Sequence, residues 1–592
     1  MGKYSASKNF NHGYPTPGPQ SPTSQDVMDH VFFASKTEWK DIRENQEFDF
    51  IVIGTGFCSL AFIDKTLENN PHAKILVLER GPFFLPEHFQ NLPLPYRDTL
   101  GGMSETFPWS LTKETNDGEF IKWQAGMVPF FGGRSTLWSG WCPRPTRQEM
   151  INWPKSLIDT AEKYFTSAEK LLNVVNADEI ESTNQKKPIY GTLQKELQDL
   201  LIKNTKKVSG LTRVIPAPLA VKEPMIGDID FAKFSTPGKL LELLDKQLEL
   251  SRTFQDGQDH INCDSKKLKK GNKLQMVTNC NVEKIINEKG HAIALKTSRG
   301  IVNIGNAKVI LAMGTLPPTT LLHNSFSELK TIGKRFTSHF ISSIYARVPM
   351  EDYKFSKELA ELELGAFYVA GVDKERDHKG QFHIQLTALS DKNPEKNTKT
   401  ALMNMPDVVA TASSDQLKSS EDYIVFVCAS LGEIDFNNSK NYFVKNEDED
   451  ITANSTLQVI ANENDNKVWD AMDASTFETL EHILSPKGKQ AVEYWDANTN
   501  SWSKKRPKKE NRRAPLLVHE ASTLCITNDD AGVVNLDYRP KGVNNVYVTG
   551  AGLWPTGASW NPTLTMVALS QHLADNLSKK ANILPSKKNT LT

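Results

Sequence analysis

The sequence predicts an α/β fold with a Rossmann-like unit near the amino terminus, and two features of the chain support this fold class. Residues 48–81 follow the order strand, glycine turn, helix, strand, which defines a βαβ unit. Two later segments, 309–314 ("VILAMG") and 546–552 ("VYVTGAG"), begin as buried strands and continue into small residues. Small residues at a strand end allow a ligand or another backbone to approach closely.

The βαβ unit has the spacing of a dinucleotide-binding turn. Gly54 follows the first strand and permits a tight turn, and Gly56 lets a pyrophosphate reach backbone N–H groups at the helix start. Ser59 replaces the third glycine of the usual fingerprint and is small enough for close packing. Glu79, after the second strand, is placed to accept hydrogen bonds from a ribose 2′-OH. A simple tight turn would also use these glycines, and the unit alone does not separate NAD from FAD.

Composition favours small-molecule chemistry. The 592 residues include 70 Lys and Arg against 71 Asp and Glu, so no global field attracts nucleic acid or an anionic membrane. The six cysteines lie far apart without the spacing of a zinc site, so we expect no metal. The first thirty residues lack a secretory signal, and no run of about 18 apolar residues spans a membrane. The end "NTLT" is not a peroxisomal address, and a cytoplasmic location is therefore expected.

A second glycine-containing segment, 130–145 ("FFGGRSTLWSGWCPRP"), is poor in helical periodicity. Gly132 and Gly133 allow positive φ and a close backbone approach. Such a loop can lie along a planar ring system. The alternative is an aromatic-rich turn that packs on a core.

The carboxyl-terminal segment 544–577 combines a strand, small residues and a helix. Gly550 and Ala551 follow the strand, Asn561 can cap the helix, and Pro562 suits its first turn. The N–H groups and positive dipole end of this helix would stabilise negative charge on a bound ring. His519 lies upstream in "LLVHEASTL", after an apolar run.

In these segments the sequence resembles the glucose-methanol-choline (GMC) flavin oxidoreductases, and within them most of all the pyranose 2-oxidase branch. The resemblance rests on the GTG turn, "GGRST" (132–136), "VILAMGT" (309–315), "IGKRFTSH" (332–339) and "HEAST…YVTGAGLWPTGASWNPTLTMVAL" (519–569). It implies a Rossmann-like FAD-binding domain interleaved with an α+β substrate-binding domain. The expected division is a flexible leader at 1–44, FAD-binding parts at 45–150, 261–339 and 515–592, mainly substrate-domain and connecting segments at 151–260, and the substrate-binding domain at 340–514.

The resemblance also implies an FAD cofactor and the residues around it. Gly314 would end a strand beside the FAD, where a side chain would block the cofactor. Members of the pyranose 2-oxidase branch commonly bond FAD covalently through a histidine, and Leu137 stands at that position here, so noncovalent FAD is expected. The full expected cofactor set is Gly54, Gly56, Phe57, Ser59, Glu79, Arg80, Gly132, Gly133, Ser135, Thr136, Leu137, Trp138, Val282, Gly314, Gly550, Ala551, Asn561, Pro562 and Thr563.

The active-site pair of the family corresponds to His519 and Asn561. An imidazole that titrates near neutrality suits removal of the alcohol proton, so His519 is the expected base. Asn561 is expected to donate a hydrogen bond to the substrate oxygen as it gains alkoxide character. Ser522 and the pair Ile526 and Thr527 depart from the family pattern close to the base, so substrate geometry is expected to differ.

The resemblance therefore implies oxidation of a hydroxyl group of a sugar, glycoside or related alcohol by hydride transfer to flavin N5. The electrons would pass to O2, a quinone or another acceptor, and homo-oligomerisation is plausible. One alternative is a GMC-fold lyase or other non-redox enzyme with structural FAD. Another is a nucleic-acid or membrane scaffold that uses the basic run 504–513, although a solvated loop is the favoured interpretation of that run.

Overall fold

The structure is a computed structural model. It describes residues 21, 23–92, 104–118, 123–124, 126–181, 188–222, 231–255, 273–374, 380–407, 412–527 and 532–581. Residues 1–20 and 22 of the expected flexible leader lie outside the described residues, whereas the rest of it includes two helices with Trp39 and Ile42 buried, so that part is not a flexible leader. The helices are α1 (Ser24–Val31), α2 (Lys36–Asn45), α3 (Phe57–Asn69), α4 (Lys113–Asp117), α5 (Lys155–Leu172), α6 (Thr192–Asn204), α7 (Thr236–Gln255), α8 (Leu316–Ser325), α9 (Pro394–Asn404), α10 (Ser414–Leu417), α11 (Glu463–Glu478), α12 (Lys509–Arg512) and α13 (Thr563–Ala581).

The strands fall into one parallel sheet, one large antiparallel sheet and three small sheets. They are β1 (Phe50–Ile53), β2 (Ile75–Leu78), β3 (Ser110–Leu111), β4 (Trp123–Gln124), β5 (Val174–Asn176), β6 (Leu211–Pro216), β7 (Pro218–Ala220), β8 (Leu274–Val277), β9 (Val282–Glu288), β10 (His291–Thr297), β11 (Gly300–Asn303), β12 (Lys308–Leu311), β13 (Thr337–Pro349), β14 (Leu362–Val372), β15 (Gln381–Asp391), β16 (Tyr423–Glu433), β17 (Tyr442–Lys445), β18 (Ser455–Gln458), β19 (Glu493–Asp496), β20 (Ser501–Ser503), β21 (Arg513–Ala521) and β22 (Val546–Val548).

The parallel sheet has the order β22-β12-β1-β2-β8, so it combines strands that are nearly 500 residues apart in the sequence. β1 and β2 consist only of Phe, Ile, Val and Leu and are buried throughout, as expected for strands covered on both faces. β1 pairs in parallel with β12 on one side and β2 on the other. Because the strand order reverses at β1, the carboxyl ends of β1 and β12 border a crevice that is the usual ligand site of such sheets.

The antiparallel sheet is built on the order β20-β19-β13-β16-β15-β14-β6, with β21 added alongside β13. Side chains on alternate positions point to opposite faces. Phe340, Phe382 and Phe426 face a core shared with Trp469 of α11. The intervening positions carry polar side chains such as His339, His383 and Gln385 together with apolar ones such as Val427.

The assignment of 151–260 mainly to the substrate domain needs correction for its first helix. α5 packs against α13, and α13 packs against α3. Tyr164 Oη donates a 2.5 Å hydrogen bond to Asp575 Oδ2, and Trp153 Nε1 donates one to Thr556 Oγ1 at 3.1 Å. The amphipathic apolar face of α5 is thus buried on the helices of the parallel-sheet unit.

Most residues of the basic run 504–513 are exposed, but the run includes the short helix α12 and its three arginines form ion pairs. Arg506 pairs with the buried carboxylate of Glu481, and Arg512 and Arg513 both pair with the buried carboxylate of Asp473. These three arginines therefore neutralise acidic groups of α11 and of the turn that follows it. This pairing removes much of the basic patch on which a nucleic-acid function would depend.

Among the described residues, no helix is long and apolar enough to cross a membrane, and no group of three or more His, Cys, Asp or Glu side chains is arranged to hold a metal ion. The cysteines in the described segments are Cys58, Cys142, Cys280, Cys428 and Cys525; all are buried free thiols.

Candidate active site

A cavity opens at the carboxyl ends of the parallel strands, where the topology predicts a ligand site. Its empty volume, including the part open to solvent, is about 1570 Å³. The turn after β1, the turn after β2 and the segments after β12 and β22 all line it. Residues from β21 and from the start of α13 complete the wall, so the two large sheets meet at this cavity.

The cavity brings together most of the predicted site residues. Those that line it are Gly54, Gly56, Phe57, Glu79, Arg80, Gly133, Ser135, Trp138, Val282, Gly314, His519, Gly550, Ala551, Asn561, Pro562 and Thr563. Four predicted residues do not line it. Ser59 is buried in α3, whereas Gly132, Thr136 and Leu137 belong to the same turn as Gly133 and Ser135 but do not line the cavity.

A threonine that the sequence analysis missed joins the two glycine segments. Thr55 Oγ1 donates a 2.5 Å hydrogen bond to Glu79 Oε2 and accepts a 2.8 Å bond from the backbone N–H of Gly132. Gly81 N–H donates to the other carboxylate oxygen of Glu79 at 3.0 Å. In this structure the Glu79 carboxylate thus joins the turn after β1 to the turn after β2. Thr55 lies between the two recognised glycines, but the sequence does not show that its side chain bonds Glu79.

Burial of Glu79 has a consequence for pH dependence. Burial raises the pKa of Glu79 from 4.5 to about 7, although the Thr55 and Gly81 hydrogen bonds oppose the shift. Between pH 4.5 and about 7, Glu79 is therefore protonated in the folded state and ionised in the unfolded state. The free energy of unfolding consequently falls as pH rises through this range. We expect this decrease to be smaller in Glu79→Gln, as measured by urea unfolding of cofactor-free protein across that range. Equal pH dependence in the two proteins would contradict it.

Two glycines at the cavity have no packing reason to lack a side chain. A β-carbon on Gly56 or on Gly314 would meet no protein atom within 4 Å. Gly314 also has φ +82, a conformation that disfavours any other residue, whereas Gly56 has an ordinary φ of −79. Open space beside Gly56 is consistent with the predicted approach of a pyrophosphate to the start of α3.

The predicted base His519 lies at a β-bulge. Val518 pairs with His339 and Ala521 pairs with Thr337, so two residues of β21 face one residue of β13. His519 takes φ +64 in this bulge, an uncommon value for a residue with a side chain. Such a bulge redirects a side chain, and here His519 lines the cavity.

Ser522 shows how the departure from the family pattern is accommodated. It has φ +69, where the glycine favoured by the family would be unstrained. The Ser522 hydroxyl and the Thr337 hydroxyl are 2.7 Å apart and share a hydrogen bond. This contact ties the turn after β21 to the start of β13.

Asn561 is held by a residue of the antiparallel sheet. Gln385 Nε2 donates a 3.1 Å hydrogen bond to Asn561 Oδ1, which leaves the Asn561 amide N–H groups as the donors for a ligand. The prediction that Asn561 caps the helix with Pro562 in its first turn needs a small correction. α13 begins at Thr563, and the Pro562 carbonyl accepts the first helical bond from Met566.

An ion pair between the half-exposed Arg134 and the buried Glu520 lies beside the base. Arg134 donates two hydrogen bonds to Glu520, at 2.8 and 3.0 Å, and a third to the Gly126 carbonyl at 2.8 Å. The bidentate geometry orders both side chains. Arg134 and Glu520 were not predicted, because they are far apart in the sequence and nothing local marks their pairing.

The antiparallel sheet contributes two further histidines behind His519. His339 lies 4.9 Å from the His519 ring, centroid to centroid, and His383 lies 6.4 Å from the His339 ring. His383 also stacks on Tyr368 at 4.8 Å. Burial lowers the pKa of all three histidines, to about 4 for His339 and well below the usual 6.5 for His383 and His519. The neutral forms therefore predominate at neutral pH.

Comparisons with known proteins agree with this architecture. Residues 371–570 match a family model described as GMC oxidoreductase, which represents the carboxyl-terminal domain of that family. The crystal structure of pyridoxine 4-oxidase from Mesorbium loti is similar, with a TM-score of 0.52 and 13% identity over 90% of this chain and 99% of that chain. No curated protein sequence matches. The chain therefore has the predicted GMC oxidoreductase fold, and its residues 371–570 match the GMC oxidoreductase carboxyl-terminal domain.

Proposed function

We propose that this protein is an FAD-dependent oxidoreductase that oxidises a hydroxyl group of a sugar, glycoside or related alcohol. The observation that carries the proposal is one continuous cavity lined both by the glycine turn with Glu79 and by His519 with Asn561. A dinucleotide site, a proton acceptor and a hydrogen-bond donor in one cavity match the requirements of alcohol oxidation. The family match of residues 371–570 supports this class of chemistry.

The residues present fit an FAD molecule. Backbone N–H groups at the start of α3 and the open space beside Gly56 suit the pyrophosphate. The start of α13 forms part of the cavity wall. Its N–H groups there suit the electron-rich edge of a flavin ring. Leu137 has no nucleophilic atom, which supports noncovalent attachment.

The chain's own residues would handle the proton and the substrate oxygen. FAD, when bound, supplies the hydride acceptor at its N5 atom. His519 accepts the alcohol O–H proton as the C–H hydride departs, so the alcohol becomes a carbonyl compound. The Asn561 amide donates a hydrogen bond to the substrate oxygen while its own oxygen is held by Gln385. Because burial and the neighbouring His339 keep the pKa of His519 well below 6.5, the base is unprotonated at neutral pH.

The finer assignment to a sugar or related polyol has two supports. "GGRSTLW", "PRP" and "NPTLT" resemble the pyranose 2-oxidase branch. Polar groups also surround the pair: Gln385 contacts Asn561, and Arg134 with Glu520 line the cavity beside His519. Several fixed donors and acceptors are what recognition of a multiply hydroxylated substrate requires. The electrons would then pass to O2, a quinone or another acceptor.

The test is an anaerobic absorbance spectrum of purified protein before and after addition of sugars, glycosides and simple alcohols. We expect a bound flavin, bleached by at least one sugar or polyol and released by acid precipitation. Bleaching only by other alcohols would contradict the sugar assignment. A flavin that no donor bleaches while a substrate turns over would favour the non-redox lyase, and folded protein unable to bind flavin would contradict the cofactor. Readmitted oxygen distinguishes an oxidase from a dehydrogenase.

A further inference from the structure

His339 is a fully buried histidine that touches the proposed base through a specific pair of nitrogens. His339 Nδ1 and His519 Nδ1 are 2.9 Å apart, within hydrogen-bond distance. On its other side, His339 Nε2 lies 3.3 Å from the carbonyl oxygen of Gly557. His339 therefore connects β13, the bulge in β21 and the loop that leads to Asn561.

These contacts fix the protons of both rings. A carbonyl oxygen only accepts hydrogen bonds, so His339 Nε2 must carry a hydrogen to bond Gly557. A neutral imidazole has one N–H, so His339 Nδ1 is then a bare acceptor. His519 Nδ1 must supply the hydrogen between the two rings, and the remaining nitrogen of His519, Nε2, is left with a free lone pair.

We propose that His339 is a positioning residue that holds His519 as its Nδ1–H tautomer and so reserves His519 Nε2 for the alcohol proton. This inference rests on the proposed function. When the alcohol O–H bond breaks and an N–H bond forms at Nε2, the Nδ1–H···Nδ1 contact becomes a charge-assisted hydrogen bond and strengthens. His339 then stabilises the imidazolium without itself receiving a proton.

The surrounding groups support a neutral His339. Its pKa falls to about 4 because it is buried, and the Gly557 carbonyl only partly opposes that shift. The ionisable groups that face the pair are His383 of β15, Arg134 of the glycine-rich loop and Glu520, which follows the base and is bonded to Arg134. His383 and Arg134 also lower the pKa of His519, so both rings of the pair are neutral before the substrate proton is transferred.

A purely structural function for His339 makes different predictions from a tautomer-fixing one, and three substitutions separate them. Asparagine places Oδ1 one bond from Cγ, as Nδ1 is in histidine, so His339→Asn keeps an acceptor for His519. His339→Gln extends its amide toward Gly557 and loses that acceptor, and His339→Leu loses both bonds. A structural function would make asparagine and glutamine comparable substitutes.

The kinetic test is stopped-flow flavin reduction in FAD-loaded protein, across pH, with a donor that reduces the wild type. On the alkaline plateau, where His519 is neutral in every variant, we expect His339→Gln and His339→Leu to be slower by about 10- to 100-fold, less than the roughly 100- to 10,000-fold that a positioned base itself contributes. His339→Asn should stay within about threefold of the wild type. The matched control is His323→Leu, a histidine bonded to the Ile332 carbonyl away from the cavity. Equal rates for all three His339 variants would overturn the inference.

A second readout does not require turnover. In protein labelled with ¹⁵N-histidine, the His519 resonances, assigned by their loss in His519→Ala, should show a protonated Nδ1 and an unprotonated Nε2. We expect the same pattern in His339→Asn and a mixture of tautomers in His339→Leu. An Nε2-protonated His519 in the wild type would overturn the inference whether or not the protein oxidises alcohols. Failure of every donor to reduce flavin, with the expected spectrum intact, would instead refute the proposed function.

Discussion

Substitution of His519 by alanine is expected to slow anaerobic flavin reduction by about 100- to 10,000-fold, the contribution typical of a positioned general base. The neighbouring groups cannot replace it: Asn561 has an amide that does not titrate, and Arg134 is engaged by Glu520. His339 lies behind His519, and its bonds are directed to the Gly557 carbonyl and to His519. The alcohol proton would therefore have to leave to water. Stopped-flow absorbance with the best donor measures the rate.

His519→Ala should lose rate of flavin reduction and keep its affinity for flavin. The glycine turn and Glu79 are untouched by the substitution, so His519→Ala is expected to retain its flavin, as judged by the absorbance ratio of flavin to protein. His323→Ala removes a comparable half-buried histidine of α8, outside the cavity, and should reduce at the wild-type rate. Flavin reduction in His519→Ala at the rate of this control would refute the assignment of the base.

The sequence predicted those parts of the site that depend on local structure. Gly54 and Gly56 are recognisable because a tight turn and a close phosphate approach need particular residues within a few positions of one strand. The GMC fold was therefore accessible before any coordinates, and the family match and the structural likeness confirm it.

The parts that escaped prediction depend on distant strands coming together. His339 lies in the recognised segment "IGKRFTSH", yet its importance arises only when the bulge in β21 turns His519 toward it. Gln385 lies in a strand whose alternating pattern predicts burial, and its bond to Asn561 spans 176 residues. Arg134 and Glu520 are separated by 386 residues. No short-range pattern encodes such pairs, because the register of the antiparallel sheet and its contact with α13 decide them.

Replacement of Gly56 by alanine is expected to weaken FAD binding by about 10- to 100-fold, equivalent to about 1.4–2.8 kcal/mol, without unfolding the protein. The added methyl group meets no protein atom within 4 Å, and φ at Gly56 is −79, so the cofactor-free fold can accept it. The only space it can fill is the cavity side of the α3 start, where the pyrophosphate would approach the backbone N–H groups. Titration of cofactor-free protein with FAD, followed by flavin fluorescence, measures the affinity.

Gly54 provides the matched comparison, because the same added methyl group acts there on the fold. Its β-carbon would lie 2.4 Å from the Ala312 carbonyl oxygen, and φ is +101. The backbone strain alone costs about 1–3 kcal/mol, so Gly54→Ala should lower the free energy of unfolding of the cofactor-free protein. Gly56→Ala should lower that free energy less, by up to about 1 kcal/mol in urea unfolding, because alanine is a poorer N-cap residue than glycine. If Gly56→Ala bound FAD as tightly as the wild type, the pyrophosphate could not lie against the start of α3, and the cofactor would have to bind elsewhere in the cavity.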